Sequence, residues 1–117
     1  MRKIAAAMLA GMLTATTARA EFSASGNEML PICKAFYTAN ESRRELLVKS
    51  AICLGQVTGI SSTLHYLEIV CLPKGATADQ IFRVVLTYLE NHPERLHEHF
   101  TILAIEGLRG TWPCPGR

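Results

Sequence analysis

Four cysteines constrain the fold of this 117-residue chain more than any other feature. They are Cys33, Cys53, Cys71 and Cys114. An even number of cysteines in a short exported chain predicts disulfide bonds, whereas the same thiols in a reducing compartment would stay free. The amino terminus indicates which compartment applies.

The first 20 residues have the pattern of a cleavable secretory signal peptide. Arg2 and Lys3 supply positive charge, residues 4–13 are almost wholly apolar, and Ala18-Arg19-Ala20 is a small-x-small cleavage site. The apolar run is shorter than the roughly 20 residues that cross a membrane, and no later segment qualifies. We therefore predict cleavage after Ala20, a signal peptide over 1–20 and a single domain over 21–117. An uncleaved anchor or a cytosolic amphipathic helix is the alternative.

Cleavage would change the charge of the protein. The full chain carries 12 Lys and Arg against 10 Asp and Glu, and three of the basic residues (Arg2, Lys3 and Arg19) lie in the leader. The mature chain would be close to neutral, with no run of either sign. We therefore expect neither a nucleic-acid partner nor binding to an anionic membrane.

The apolar residues recur with helical spacing, and no strand pattern of strict alternation is present. This predicts an all-α fold, a compact bundle of about four helices over 29–37, 42–70, 77–90 and 93–110. Pro31 fits best in a first turn, Thr77 with Gln80 forms a capping box, and Pro93 is placed to open the last helix. The predicted inward faces carry Met29, Leu30, Cys33 and Phe36; then Leu46, Cys53, Val57, Ile60, Leu64, Leu67 and Cys71; then Ile81, Val84, Val85 and Tyr88; and finally Phe100, Leu103, Ala104 and Leu108.

Helix geometry limits how the cysteines can pair. Cys53 and Cys71 lie on one predicted helix, roughly 27 Å apart at 1.5 Å per residue, and a disulfide needs Cα atoms within about 7 Å. That excludes one of the three connectivities. The third helix runs back and the fourth returns, so Cys114 arrives at the end of the bundle where Cys71 lies. We predict Cys71–Cys114 and, by remainder, Cys33–Cys53.

Residue chemistry does not predict an enzyme. His97 and His99 point about 200° apart on a helix, and His92 lies before that helix. These histidines are therefore not expected to bind one metal ion together. Paired cysteines leave no thiolate nucleophile. No nucleophile elbow, carboxylate pair or phosphate-binding loop is visible, and no cofactor is predicted. The glycines of Gly55-x-x-x-Gly59 allow another helix to approach closely. Such a helix more often belongs to the same chain than to a second copy, so we expect internal packing here and keep a dimer contact as the alternative.

The order of several short motifs adds a family resemblance. Gly26-Asn27-Glu28-Met29-Leu30 precedes Cys33, Cys53-Leu54-Gly55 leads to Gly59, and Cys71-Leu72-Pro73-x-Gly75 follows; His92-Pro93-Glu94 and Trp112-Pro113-Cys114-Pro115 complete the order. With its four cysteines, the chain resembles the Rap/Tai-like immunity proteins of type VI secretion systems (the Rap1a type). The resemblance implies a periplasmic helical protein, often a homodimer, that blocks the active-site cleft of a peptidoglycan amidase toxin with a Cys–His site.

Two polar loops are the predicted partner-binding segments if that role applies, because loops on a rigid scaffold commonly carry recognition. The favoured one contains Asn91, His92, Glu94, Arg95, His97 and Glu98; the other contains Lys74 and Gly75. A different class of function stays open, that of a small periplasmic structural or stress-response protein without an enzyme partner.

Overall fold

Four α-helices build the protein in a computed structural model that describes residues 24–38 and 42–116. They are α1 (Gly26–Lys34), α2 (Arg43–Tyr66), α3 (Ala78–Asn91) and α4 (Phe100–Thr111). The described residues hold no strand, only the isolated bridges Ser25–His99 and Val70–Pro113. None of the described helices is long and apolar enough to cross a membrane. The predicted all-α fold is confirmed; the predicted signal peptide lies outside the described residues.

The helix α1 begins earlier than the sequence pattern predicts. The Ser25 hydroxyl accepts from the Glu28 amide while the Glu28 carboxylate accepts from the Ser25 amide, which forms a capping box. Pro31 therefore lies in the middle of the helix and not in its first turn. The helix continues into a 3₁₀ turn over Ala35–Tyr37, and this turn leaves Phe36 46% exposed instead of on the inward face.

The helix α2 ends at Tyr66, four residues before the predicted end. Glu68 adopts a left-handed backbone (φ 56°), which turns the chain and places Leu67 in the solvent. Within the helix, Cys53, Val57 and Leu64 are buried as predicted. Ser61 is buried with them, and its hydroxyl donates to the Thr58 carbonyl at 3.1 Å, so its polar group is satisfied.

The helices α3 and α4 form the largest helix–helix contact of the fold. The predicted Thr77–Gln80 capping box is present. The buried residues of α3 are Phe82, Val85 and Leu89, so Val85 is buried as predicted. The other predicted residues, Ile81, Val84 and Tyr88, are partly buried and pack against the edge of the core. Pro93 opens a short 3₁₀ turn, Pro93–Arg95, and α4 begins only at Phe100. Its predicted core residues, Phe100, Leu103, Ala104 and Leu108, are all buried.

Two disulfides join the helices, and both predicted pairings are confirmed. Cys33–Cys53 ties α1 to α2 with a Cα–Cα distance of 5.3 Å, and both residues are buried. Cys71–Cys114 ties the α2–α3 connection to the tail after α4, with a Cα–Cα distance of 4.9 Å. The Cys71 amide donates to the Trp112 carbonyl at 3.0 Å, which holds the tail in place.

Candidate functional site

The two predicted partner-binding segments lie at opposite ends of α3. Lys74 and Gly75 precede that helix, and Asn91 ends it. Fourteen residues at about 1.5 Å each separate the two ends by roughly 20 Å. The fold therefore does not bring these segments together into one surface.

The Lys74–Gly75 loop is a tight, exposed turn. The Ala76 amide donates to the Pro73 carbonyl at 3.0 Å, and Gly75 has φ 90°, a conformation that favours glycine. Both Lys74 and Gly75 are exposed. The loop is accessible to a partner, and its role in binding stays a prediction.

The favoured segment, residues 91–98, is largely committed to the protein's own structure through Arg95. The guanidinium donates to both carboxylate oxygens of Glu98 at 2.7 Å, to the Tyr88 hydroxyl at 2.8 Å, and to the Glu106 carboxylate. The Tyr88 hydroxyl donates to Glu106 at 2.7 Å. We call these four side chains the Arg95 network. It links α3, the connection and α4, so Arg95 and Glu98 have structural partners already.

The Arg95 network shifts the titration of its members. Hydrogen bonds from Arg95, and then from Tyr88, lower the pKa of Glu106 to about 2. Arg95 likewise lowers the pKa of Glu98. Burial, followed by the hydrogen bond to Glu106, raises the pKa of Tyr88. The network is thus a charged, hydrogen-bonded unit at neutral pH.

The histidines do not converge. His92 stacks on Tyr88 with ring centroids 4.1 Å apart, and its Nδ1 lies 2.7 Å from the Tyr88 carbonyl oxygen. His97 and His99 are exposed. Among residues 24–38 and 42–116 no group of three metal-ligating side chains forms. In the predicted segment, Asn91, Glu94 and His97 are exposed to solvent and available to a partner.

The outward face of α2 is the feature that the sequence reasoning missed. Its residues are Leu47, Val48, Ala51, Ile52, Gly55, Thr58, Gly59 and Ser62, and all are exposed. A Cβ added at Gly55 or Gly59 would meet nothing within 4 Å, so the expected internal packing of these glycines is wrong. One signal was available: residues 50–67 contain no Asp, Glu, Lys or Arg.

Comparison with known proteins gives one match. The family model described as Rap1a immunity proteins matches residues 25–114, which include all four helices and all four cysteines. No curated protein and no solved structure matches the chain.

Proposed function

The chain belongs to the Rap1a immunity protein family, and on that premise we propose that it neutralises a type VI secretion toxin in the periplasm. Rap1a immunity proteins are inhibitors that bind a partner toxin and are not enzymes. The proposed partner is a peptidoglycan amidase, inhibited when this protein blocks its active-site cleft. The single observation that carries the proposal is the family match over residues 25–114.

The scaffold suits an inhibitor. Two disulfides tie α1 to α2 and the α2–α3 connection to the tail after α4, and each cross-link reduces the conformational freedom that binding would otherwise remove. Disulfides also persist in an oxidising compartment, which agrees with the proposed periplasmic location after cleavage of the leader.

The proposal is tested by inhibition. The exported protein is isolated from the periplasm with its bound amidase, and the separated components are recombined with peptidoglycan. We expect release of peptide fragments to fall to background near one equivalent of inhibitor. Full hydrolysis at stoichiometric excess contradicts the proposal and favours a structural or stress-response protein without an enzyme partner.

We further propose that the protein is a homodimer and that the outward face of α2 is its interface. Leu47, Val48 and Ile52 are 63%, 55% and 40% exposed. Contact of these apolar side chains with water is unfavourable, and packing against a second apolar surface would remove that contact. Gly55 and Gly59 lie near the middle of the face, where two helices could approach closely. Between Leu47 and Ser62 this face carries no charged side chain, so two copies could pair over that stretch without bringing like charges together.

The dimer is tested by light scattering of the purified protein. We expect the wild-type protein at twice the monomer mass and Val48→Asp at the monomer mass. The control Ile102→Asp introduces the same charge at an exposed position of α4 and should leave the mass unchanged. A monomeric wild-type protein at high micromolar concentration would count against the interface.

A further inference from the structure

The two disulfides join the cysteines in the order in which they occur along the chain. Cys33–Cys53 closes one loop and Cys71–Cys114 closes the next, and the two loops share no residue. In each of the other two connectivities, the loops would cross or one would enclose the other. Each native pair is therefore complete as soon as its own second cysteine is available.

Loop length by itself does not select this pairing. Cys53 and Cys71 are 18 residues apart, against 20 for Cys33–Cys53 and 43 for Cys71–Cys114. Since the entropy of loop closure grows with the logarithm of loop length, an unfolded chain would close Cys53–Cys71 roughly fourfold more often than Cys71–Cys114. Oxidation of all four thiols at once in an unfolded chain would thus trap a non-native pair.

The folded end of α2 excludes that non-native pair. The Val70 amide donates to the Leu64 carbonyl at 3.2 Å and the Leu72 amide to Nδ1 of His65 at 3.3 Å, so the chain around Cys71 is held at the end of the helix. Cys53 lies eleven residues before Leu64 in α2, roughly 17 Å away at about 1.5 Å per residue. A Cys53–Cys71 bond therefore requires that this end of α2 be unfolded, and it can form only before the helix is in place.

The two native pairs differ in when an oxidising protein can reach them. Cys33 and Cys53 are 1% and 0% exposed, so their sulfurs are inaccessible after the core has closed. Cys71 and Cys114 are half-buried and line a surface cleft of about 460 Å³. The Cys71 amide donates to the carbonyl of Trp112, directly after α4, so these two cysteines meet only when α4 has packed. Burial thus requires Cys33–Cys53 to form early, and access allows Cys71–Cys114 to form last.

We propose that a dithiol oxidase forms Cys33–Cys53 before Cys71–Cys114 and that the protein needs no disulfide isomerase. In each step one cysteine thiolate attacks the disulfide of the oxidase to give a mixed disulfide, and the second thiolate displaces the oxidase sulfur. Two electrons and two protons pass to the oxidase, which leaves as a dithiol. Export from the amino terminus would deliver Cys33 and Cys53 ahead of Cys71 and so favour this order, a point that rests on the proposed periplasmic location.

The order is tested on the full chain, leader included, during export. Newly made protein is pulse-labelled and alkylated at successive times, and its cysteine pairs are mapped without reduction. We expect the first oxidised species to carry Cys33–Cys53 with Cys71 and Cys114 alkylated. The yield of natively paired protein should change less than twofold in cells that lack the isomerase. A first species that contains Cys53–Cys71, or a yield that falls several-fold without the isomerase, overturns the proposal.

Two variants isolate the effect of order. Cys33→Ala leaves Cys53 without its partner when Cys71 arrives, so we expect Cys53–Cys71 to accumulate in cells without the isomerase. The matched control combines Cys33→Ala with Cys53→Ala, which removes the same disulfide and leaves no competing thiol, so Cys71–Cys114 should form in either strain. Exclusive Cys71–Cys114 pairing in the single variant would contradict the protective role of the first disulfide. The wild-type time course decides the order even if either variant is unstable.

Oxidation of the purified protein separates this inference from the proposed function. Reduced protein in urea should form Cys53–Cys71 roughly fourfold faster than Cys71–Cys114, because α2 is absent. Dilution from urea in the presence of the oxidase should instead give the native pairs, with Cys33–Cys53 first. Equal amounts of Cys53–Cys71 under both conditions would overturn the inference and leave the proposed function intact. A natively paired protein that inhibits no toxin removes the proposed function and leaves the order of oxidation standing.

Discussion

Gly107 sets the distance between α3 and α4. A Cβ at this position would lie 2.8 Å from the Cβ of Tyr88, closer than real Cβ atoms approach one another. Tyr88 cannot move aside easily, because its hydroxyl is held by Arg95 and Glu106. The glycine therefore permits the close packing on which the Arg95 network depends.

We expect Gly107→Ala to destabilise the protein by about 1–3 kcal/mol, the usual cost of overpacking. Gly110→Ala is the matched control on the same helix, since a Cβ there meets nothing within 4 Å. It should be neutral or slightly stabilising because alanine favours helix by up to about 1 kcal/mol. Urea unfolding measures the free energy of unfolding of each variant. Equal values for Gly107→Ala and Gly110→Ala would mean that α3 and α4 can move apart without loss of stability.

The Arg95 network should make stability depend on pH. The pKa of Glu106 in the folded protein is about 2, below its ordinary value of 4.5. A lowered folded-state pKa means that the ionised carboxylate stabilises the fold above pH 4.5, and that this contribution is lost as the pH falls towards 2.

Glu106→Gln should therefore flatten the dependence of unfolding free energy on pH between about 4.5 and 2. Glu94→Gln, at an exposed position outside the network, is the control and should follow the wild-type curve. Denaturant titrations across this interval provide the measurement. An unchanged slope in Glu106→Gln would contradict the structural role of the network.

At the scale of elements, the two disulfides differ in exposure. Cys33 and Cys53 are 1% and 0% exposed, whereas Cys71 and Cys114 are half-buried and line a surface cleft. By loop-closure entropy alone, Cys33–Cys53, which spans 20 residues, stabilises the folded protein by about 3 kcal/mol. Cys71–Cys114, which spans 43 residues, stabilises it by about 4 kcal/mol. The disulfide with the larger entropic contribution is thus the more accessible one.

We expect a mild reductant to open Cys71–Cys114 before Cys33–Cys53, because exchange requires access of a thiolate to sulfur. Timed reduction, alkylation and peptide mass analysis would show labels first on Cys71 and Cys114. Simultaneous labelling of all four cysteines would instead indicate that global unfolding precedes reduction.

At the scale of the whole molecule, the predicted cleavage of a leader would set the composition of the exported protein. Removal of residues 1–20 would leave 97 residues with nine Lys and Arg against ten Asp and Glu. Intact mass of the periplasmic protein should correspond to a chain that begins at Glu21 and carries two disulfides. An export-blocking change, such as Leu9→Arg in the apolar run, should retain the full-length mass in the cell. A periplasmic protein that still begins at Met1 would contradict the predicted cleavage.

The sequence alone determined the all-helical fold, the Thr77–Gln80 cap and the disulfide pairing. Helical periodicity and the Thr77–Gln80 cap depend only on residues that are close together in the sequence. They therefore form independently of how the helices pack. The pairing followed from length, because a rigid helix keeps Cys53 and Cys71 too far apart to bond. Four helices connected by short loops leave few topologies, and the directions of the helices decided between the two remaining pairings.

Only the tertiary structure decided which surfaces are free. The helix α2 is apolar around much of its circumference, so its buried side depends on where α1, α3 and α4 lie and not on its own pattern. Tyr88 and Glu106 are 18 residues apart and meet only because Gly107 lets two helices approach closely. The left-handed Glu68 ends α2 where hydropathy predicts it to continue, and this turn exposes Tyr66 and Leu67. Contacts between distant residues set each of these outcomes, and no local pattern in the sequence encodes them.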